Sequence, residues 1–356
     1  MNETMMSKLL GIAEKNEERA SAAGKHLKFT DMELLKSLVE DLQKPASFDS
    51  IRRDPYWHKW DSPWWKISLI AEIGYAEQIP HKTLDFLAEK INSQYLTYFP
   101  IKESELPQGC DPYRDILCHC AYGNIFRIFY LAGYDPDKVF PDARKWFFKY
   151  QLPDGGLNCD ESSYTKDNPS SSFLSTLPPL EAVLFCTKRK FTDEEQSFLE
   201  KGNQYLIRRK IFKSIRKGMS AASPQFFQLL FPRFYEYDIL RGLHFVVRYA
   251  LAFQKPVPVS AIIEAAEIID GKIDELGLLH IERSIFTGSS TIMQMDSGKW
   301  EKVKPAPVFP LLEKAGAVGS PSVFLTKQWY DTVYGIIHLN RLGLLSGSLS
   351  DRLHKT

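Results

Sequence analysis

ILCHCAYGNIFRIFYLAGY, Ile116–Tyr134, is apolar nearly all round, and it decides the fold class. A helix of that kind lies buried, whereas a one-sided helix lies outside. The second kind is also present, as in DEEQSFLEKGNQYLIRR, Asp193–Arg209, whose charges occupy one face. DILRGLHFVVRYALAF, Asp238–Phe253, returns to the first kind. The two kinds alternate along the chain, so inner and outer layers of helices are expected. The 3.6-residue period extends over Asp31–Leu42 behind a Thr30 N-cap, and over Trp64–Tyr75 behind Pro63. It also covers Thr83–Asn92, Tyr113–Leu131, Asp142–Gln151, Leu180–Cys186, Asp193–Arg208, Asp238–Phe253, Ser260–Ile269 and Trp329–Leu342. Alternating strand patterns are hard to find, and proline falls between helices. The class is therefore all-α. Gly123, Gly242 and Gly335 sit inside buried helices, where a missing side chain permits close packing.

A longer unit recurs. Proline and aromatic residues meet an aspartate and then enter a buried helix. It reads DPYWHKWDSPWWKISLIAEIGY at Asp54–Tyr75, FPRFYEYDILRGLHFVVRYALA at Phe231–Ala252, and more loosely LTKQWYDTVYGIIHLNRLGLL at Leu325–Leu345. Repeated hairpins that bury their inner helices can close into a ring. The expected architecture is an α/α toroid, a barrel of inner and outer helices from five to six hairpins. Residues 1–50 would be N-terminal helices packing on or closing the toroid, with Asp31–Leu42 as the last outer partner. Residues 51–346 would form the toroid and 347–356 a C-terminal tail.

The fragment RKWFFKYQLPDGGLNCD, Arg144–Asp160, resembles the repeat of squalene and other terpene cyclases. Gln151 and Gly155 match that repeat, and Leu157 stands where tryptophan is expected. The glycine permits the positive φ that stops a helix and turns it back. With CAYGN (Cys120–Asn124), FPRFYEYDILRGL (Phe231–Leu243) and SVFLTKQWYDT (Ser322–Thr332), the layout is similar to the terpenoid cyclase and protein prenyltransferase superfamily. Within it, the layout resembles a bacterial group of prenyltransferase/squalene-oxidase-repeat proteins. The resemblance implies a central cavity for an isoprenoid or other lipid-like molecule. It carries over no mechanism. The cyclase acid Asp-x-Asp-Asp is absent, its nearest fragment being Asp135-Pro136-Asp137 followed by Lys138. The prenyltransferase zinc pair Asp-x-Cys is absent too, since Cys159 and Asp160 are adjacent and reversed.

Composition bounds the partners. A net charge of +1 gives no field to steer the chain to nucleic acid or an anionic membrane. The basic run Arg208–Lys217 reads as a solvated surface. Five cysteines, an odd number in a chain of 356 residues, argue against a disulfide framework and for a reducing, cytoplasmic setting. No stretch reads as a signal peptide or a transmembrane helix. The expected partner is a small-molecule or lipid-like ligand.

The residue patterns suggest three candidate constellations. Cys118-His119-Cys120 has soft ligands for zinc, but on a regular helix its two cysteines point ~200° apart. A metal set would therefore draw on His119 or Cys120 with Cys159 and Asp160; buried free thiols are the other reading, and no cofactor is required. Asp61, Asp238 and Asp331 stand near three inner-helix starts. They would either cap those helices or, with Trp60, Trp64, Tyr237 and Trp329, form an acidic-aromatic pocket. Arg241 and Lys327 would hold a diphosphate or carboxylate, although Asp238–Arg241 reads equally as a structural ion pair. Candidate catalytic residues are thus Asp61, Asp238, Arg241, Lys327 and Asp331. Candidate binding residues are Trp60, Trp64, His119, Asn124, Tyr237 and Trp329. The loops Asp160–Ser172 and Thr287–Pro310 would cover the cavity. Beside a lipid-binding toroid stand two alternatives, a carbohydrate-active toroid and a noncatalytic peptide-binding scaffold.

Overall fold

The apolar stretch at Ile116–Tyr134 forms its helix only from His119 onward, because Cys118 takes an extended conformation and serves as the N-cap. That local choice matters later. The structure is a computed structural model that describes residues 2–347. Most of the tail expected at 347–356 lies outside those residues.

Among the described residues the chain is mainly helical. Its first half holds α1 (Asn2–Ala23), α2 (Met32–Asp41), α3 (Pro45–Arg53), α4 (Pro63–Glu72), α5 (His81–Gln94), α6 (His119–Leu131), α7 (Pro136–Val139), α8 (Ala143–Lys149) and α9 (Phe173–Phe185). After α10 (Asp193–Arg208) come two short strands, β1 (Lys213–Ser214) and β2 (Ser220–Ala221), and then α11 (Ile239–Phe253). Strand β3 (Val257–Pro258) leads into α12 (Val259–Asp270). Strands β4 (Thr291–Gln294) and β5 (Trp300–Val303) precede α13 (Pro310–Ala315), α14 (Val323–Arg341) and β6 (Leu345–Ser346).

The expected division into buried and one-sided helices holds. In α6, α9 and α11 most residues are buried, whereas α10 buries one face and shows its charges to solvent. Successive buried helices run in the same direction. Gly123 of α6 faces Pro178 and Pro179 of α9, and one turn later Arg127 meets Glu181. Glu181 also pairs with Arg241 of α11, and Phe185 lies against Phe245 further along. His244 of α11 meets Thr332 of α14, and Val247 and Leu251 pack on Gly335. Asn124 reaches Ser68 of α4. The N-terminal ends of α4, α6, α9, α11 and α14 therefore lie toward one side, with the loops that precede them. Helix α8 packs against α6 and α10, α10 against α9 and α11, and α12 against α11 and α1.

Four local expectations need correction. Proline is not confined to loops: Pro178 and Pro179 lie inside α9, which begins at Phe173 and not at Leu180. The pair removes two backbone donors, and it sits where α6 approaches closest. Second, Asp31, not Thr30, precedes α2. Third, the helix from the N-terminal region that packs on α14 is α1, not Asp31–Leu42. Asn16 of α1 donates to Asp270 of α12 at 2.7 Å and accepts from Trp329 Nε1 at 3.2 Å. Helix α2 instead packs on α13. Fourth, the long loop at Thr287–Pro310 contains the antiparallel pair β4–β5.

The Asp-Gly-Gly turn behaves as its residues predict. Gly155 has φ +96°, and a Cβ there would lie 2.2 Å from Lys201 O. Gln151 Nε2 donates to Gly155 O and to Phe198 O, both at 2.9 Å, tying the end of α8 to α10.

Candidate functional site

A charge inside an otherwise apolar helix must find a partner, because an unpaired buried charge costs far more than packing returns. Glu72 in α4, Arg127 in α6, Glu181 in α9 and Arg241 in α11 are four such charges, and the parallel packing brings them to one level. Arg241 donates to Glu181 through Nε at 3.0 Å and Nη2 at 2.7 Å, and Arg127 pairs with the same carboxylate. Arg233 binds Asp238 bidentately at 2.7 and 3.0 Å and donates to Gln328 Oε1 at 2.5 Å. Glu72 accepts the backbone N–H of Arg233 at 2.8 Å. Burial pushes the Glu181 carboxyl up, but Arg127 and Arg241 pull it further down, to about 2. Burial raises Glu72 above the usual carboxylate range, against the opposing pull of Arg241 and Arg233.

These groups border a cavity of about 250 Å³. Its wall includes Arg127, Arg233, Arg241 and Lys327 against Glu72 and Glu181, four cations to two carboxylates. Lys327 is exposed at the rim. The apolar part of the wall includes Phe231 and Phe324, stacked with centroids 4.5 Å apart, and Ile128 and Leu131.

Of the site residues expected from sequence, Asn124, Arg241 and Lys327 meet at this cavity. The others do not. Trp64, Tyr237 and Trp329 are core residues, Trp329 bonded to Asn16 and Tyr237 donating to Ile211 O at 2.5 Å. Trp60 donates to Ser289 at 2.7 Å. Asp238 is a cap, accepting from Arg241 N at 2.9 Å, and its ion partner is Arg233 rather than Arg241. Asp61 pairs with Lys66 at 3.3 Å outside α4, whose N-cap is Ser62. Asp331 lies in the middle of α14, 3.6 Å from His244 and 3.7 Å from Arg248, not at a helix start. The three aspartates therefore share no pocket. Neither Asp160–Ser172 nor Thr287–Pro310 contributes to the cavity wall. Glu72, Arg127, Glu181 and Arg233 were not anticipated. Their signal was available, since each of the three helical ones is a lone charge in an apolar run.

His244 lies beside this network. Burial pushes its imidazole down to about 4, against the pull of Asp331 and Glu181 and with help from Arg248 and Arg233. The folded value lies below the unfolded one of ~6.5, so the neutral ring stabilises the fold above that pH and the contribution is lost as pH falls toward 4. Between pH 6.5 and 5 the loss amounts to about 2 kcal/mol. Urea denaturation across that interval is expected to show a shallower decline for His244→Gln than for the wild type. Equal slopes would assign the acid sensitivity elsewhere.

The cysteines form a second cluster, at the N-terminal end of α6. Cys118, Cys120 and Cys159 place their sulfurs within 4.8 Å of one another. Sγ of Cys118 lies 3.2 Å from that of Cys120, which lies 3.7 Å from that of Cys159. The argument that Cys118 and Cys120 point apart fails because Cys118 precedes the helix with ψ 157°. His119 and Asp160 stand outside the cluster. His119 accepts from Trp146 Nε1 at 2.7 Å and donates to the Tyr164 hydroxyl at 3.0 Å, which in turn donates to Asn158 O at 3.0 Å. It thereby holds the Cys159 loop against α6. Burial keeps it neutral, pushing it down to about 4. Asp160 accepts from Ser162 N at 3.0 Å as a cap.

Lys59 Nζ lies 5.1–5.7 Å from the ring centroids of Tyr56, Trp57, Trp60, Trp65 and Tyr235. It donates to the Tyr235 hydroxyl at 2.8 Å. The β4–β5 segment covers this loop: Lys59 N donates to Thr291 at 2.7 Å, and Arg114 lies over Trp300 at 4.6 Å.

No protein family, no curated protein and no solved structure matches the chain. No helix among the described residues is long and apolar enough to cross a membrane.

Proposed function

We propose that the chain is an α/α toroid that binds a small lipid-like acid, such as an isoprenoid or fatty carboxylate or phosphate, in the cavity between its inner helices. The excess of cations at the cavity wall carries this reading: Arg127, Arg233, Arg241 and Lys327 stand against Glu72, Glu181 and the Asp238 that Arg233 holds, beside a stacked phenylalanine pair. An anionic head would meet Lys327 and Arg127, and an apolar body would lie on Phe231, Phe324, Ile128 and Leu131. The toroid itself is supported by five parallel buried helices taken in chain order and by α1, which packs on α14. A cavity of about 250 Å³ lies at the small end of ligand pockets, so a short chain fits better than a triterpene. Glu72, the raised carboxyl in the wall, is the group on which any proton transfer to the ligand would fall. The carbohydrate reading has less support, because Glu181 is committed to two arginines and Asp61, Asp238 and Asp331 do not converge.

Titration calorimetry with octanoate, octyl phosphate and octanol tests the assignment. Either anion is expected to bind at least ~10-fold more tightly than the alcohol, with the advantage shrinking as salt is added. Lys327→Met is expected to remove most of it. Equal affinity for acid and alcohol, or no binding of any of the three, would reject the anionic pocket.

A further inference from the structure

We infer that Cys118, Cys120 and Cys159 bind one zinc ion through three thiolates, leaving the fourth position for a ligand from outside the chain. This site is separate from the anion cavity and does not depend on it.

Geometry comes first. Zinc–thiolate bonds of ~2.3 Å in a tetrahedron place neighbouring sulfurs ~3.8 Å apart. Cys118–Cys120 and Cys120–Cys159 stand at 3.2 and 3.7 Å, and all three sulfurs fall within 4.8 Å. Shifts of less than ~1 Å, within the reach of a cysteine rotamer, would bring all three to one ion. A [4Fe–4S] cluster holds each thiolate on a separate iron and needs wider spacing. All five cysteines are free thiols.

The surroundings fit a thiolate centre. Cys118 is the N-cap of a 13-residue helix, where the dipole favours negative charge. Cys159 is fixed by its own N–H, which donates to Ser175 Oγ of α9 at 3.0 Å. Two helices and a loop held by His119 therefore present the sulfurs before any metal arrives. Three thiolates around Zn²⁺ leave a net charge of −1. Lys59, whose hydrogen-bond partner is a neutral phenol, would supply the compensating cation. Because no further histidine, cysteine or carboxylate among the described residues joins the group, the remaining position would take water or an incoming donor. A centre with three protein ligands and one exchangeable position is the arrangement of reactive rather than purely structural zinc. Cys118 and Cys159 are only half-buried, so an incoming ligand can approach. Binding would release the thiol protons to solvent.

The full-length protein, expressed with zinc and purified under reducing conditions, is expected to hold one zinc per chain by elemental mass spectrometry. Cobalt substitution is expected to give a thiolate charge-transfer band and the strong visible bands of a tetrahedral ion. Zinc should protect Cys118, Cys120 and Cys159 from alkylation while leaving Cys110 reactive, a readout that needs no variant. Cys118→Ser, Cys120→Ser and Cys159→Ser are each expected to weaken zinc binding more than ~100-fold, and Cys186→Ser to leave it unchanged. Three results would each overturn the assignment: a reducible chain with no zinc and no protection, a Cys118–Cys120 disulfide in the purified protein, or equal loss on Cys186→Ser.

Discussion

Glu181→Gln is expected to destabilise the protein by about 3–5 kcal/mol, measured by urea denaturation at pH 7. The carboxylate is the shared partner of Arg241, at 3.0 and 2.7 Å, and of Arg127, and both it and Arg241 are buried. An amide keeps the shape but gives up the charge, leaving the buried Arg241 and the partly exposed Arg127 without their shared counter-charge. Removing one member of a buried pair costs more than the pair itself contributes, since the survivor keeps its desolvation penalty. A pH titration gives the same answer by a different route. The folded value of about 2 lies below the usual ~4.5, so the contribution is present above pH 4.5 and disappears as pH falls through 2. That interval of pH corresponds to about 3 kcal/mol. In the double variant Glu181→Gln/Arg241→Met part of the loss should return, because the more buried of the two stranded charges is gone and only Arg127 remains. A single-variant loss below about 1 kcal/mol would mean that water reaches the network.

Gly123→Ala is expected to cost about 3 kcal/mol, although alanine is the better helix former by about 1 kcal/mol. A Cβ at this position would stand 2.5 Å from Pro178 C and from Pro179 N. Those are backbone atoms, so no side chain can swing aside; α6 and α9 would have to separate. Gly11, inside α1, has nothing within 4 Å of its would-be Cβ, and Gly11→Ala is expected to stabilise by up to about 1 kcal/mol. The two substitutions add the same methyl group and should move the urea midpoint in opposite directions. Agreement in sign would mean that propensity outweighs the close approach.

The sequence made the layering legible because burial is written into helix periodicity: the apolar run at α11 and the one-sided run at α10 stand where their patterns put them, and α6 ends where expected but starts at His119 rather than Tyr113. Close packing at Gly123, Gly242 and Gly335 was legible for the same reason. Helix starts were less so. Pro178 and Pro179 looked like a boundary and hid the first turns of α9, and the extended conformation at Cys118 hid the thiol cluster, since one residue outside a helix escapes the helix's angular rule. Of the cavity residues, Arg241 and Lys327 were found through their place near helix starts. Glu72, Arg127 and Glu181 were missed although each is a solitary charge among apolar neighbours. Aspartate position misled, because Asp61, Asp238 and Asp331 sit at similar places in the repeated unit but take three different partners.

Helix α1 meets its partners only across most of the chain's length: Asn16 bonds to Trp329, 313 residues away. During synthesis α1 emerges long before α12 and α14, the helices it packs on, and so docks late. For that interval Leu9 and Ala13, buried in the finished fold, are open to chaperones or to a neighbouring nascent chain. Such distant contacts also slow folding, because chain entropy must be given up before they form.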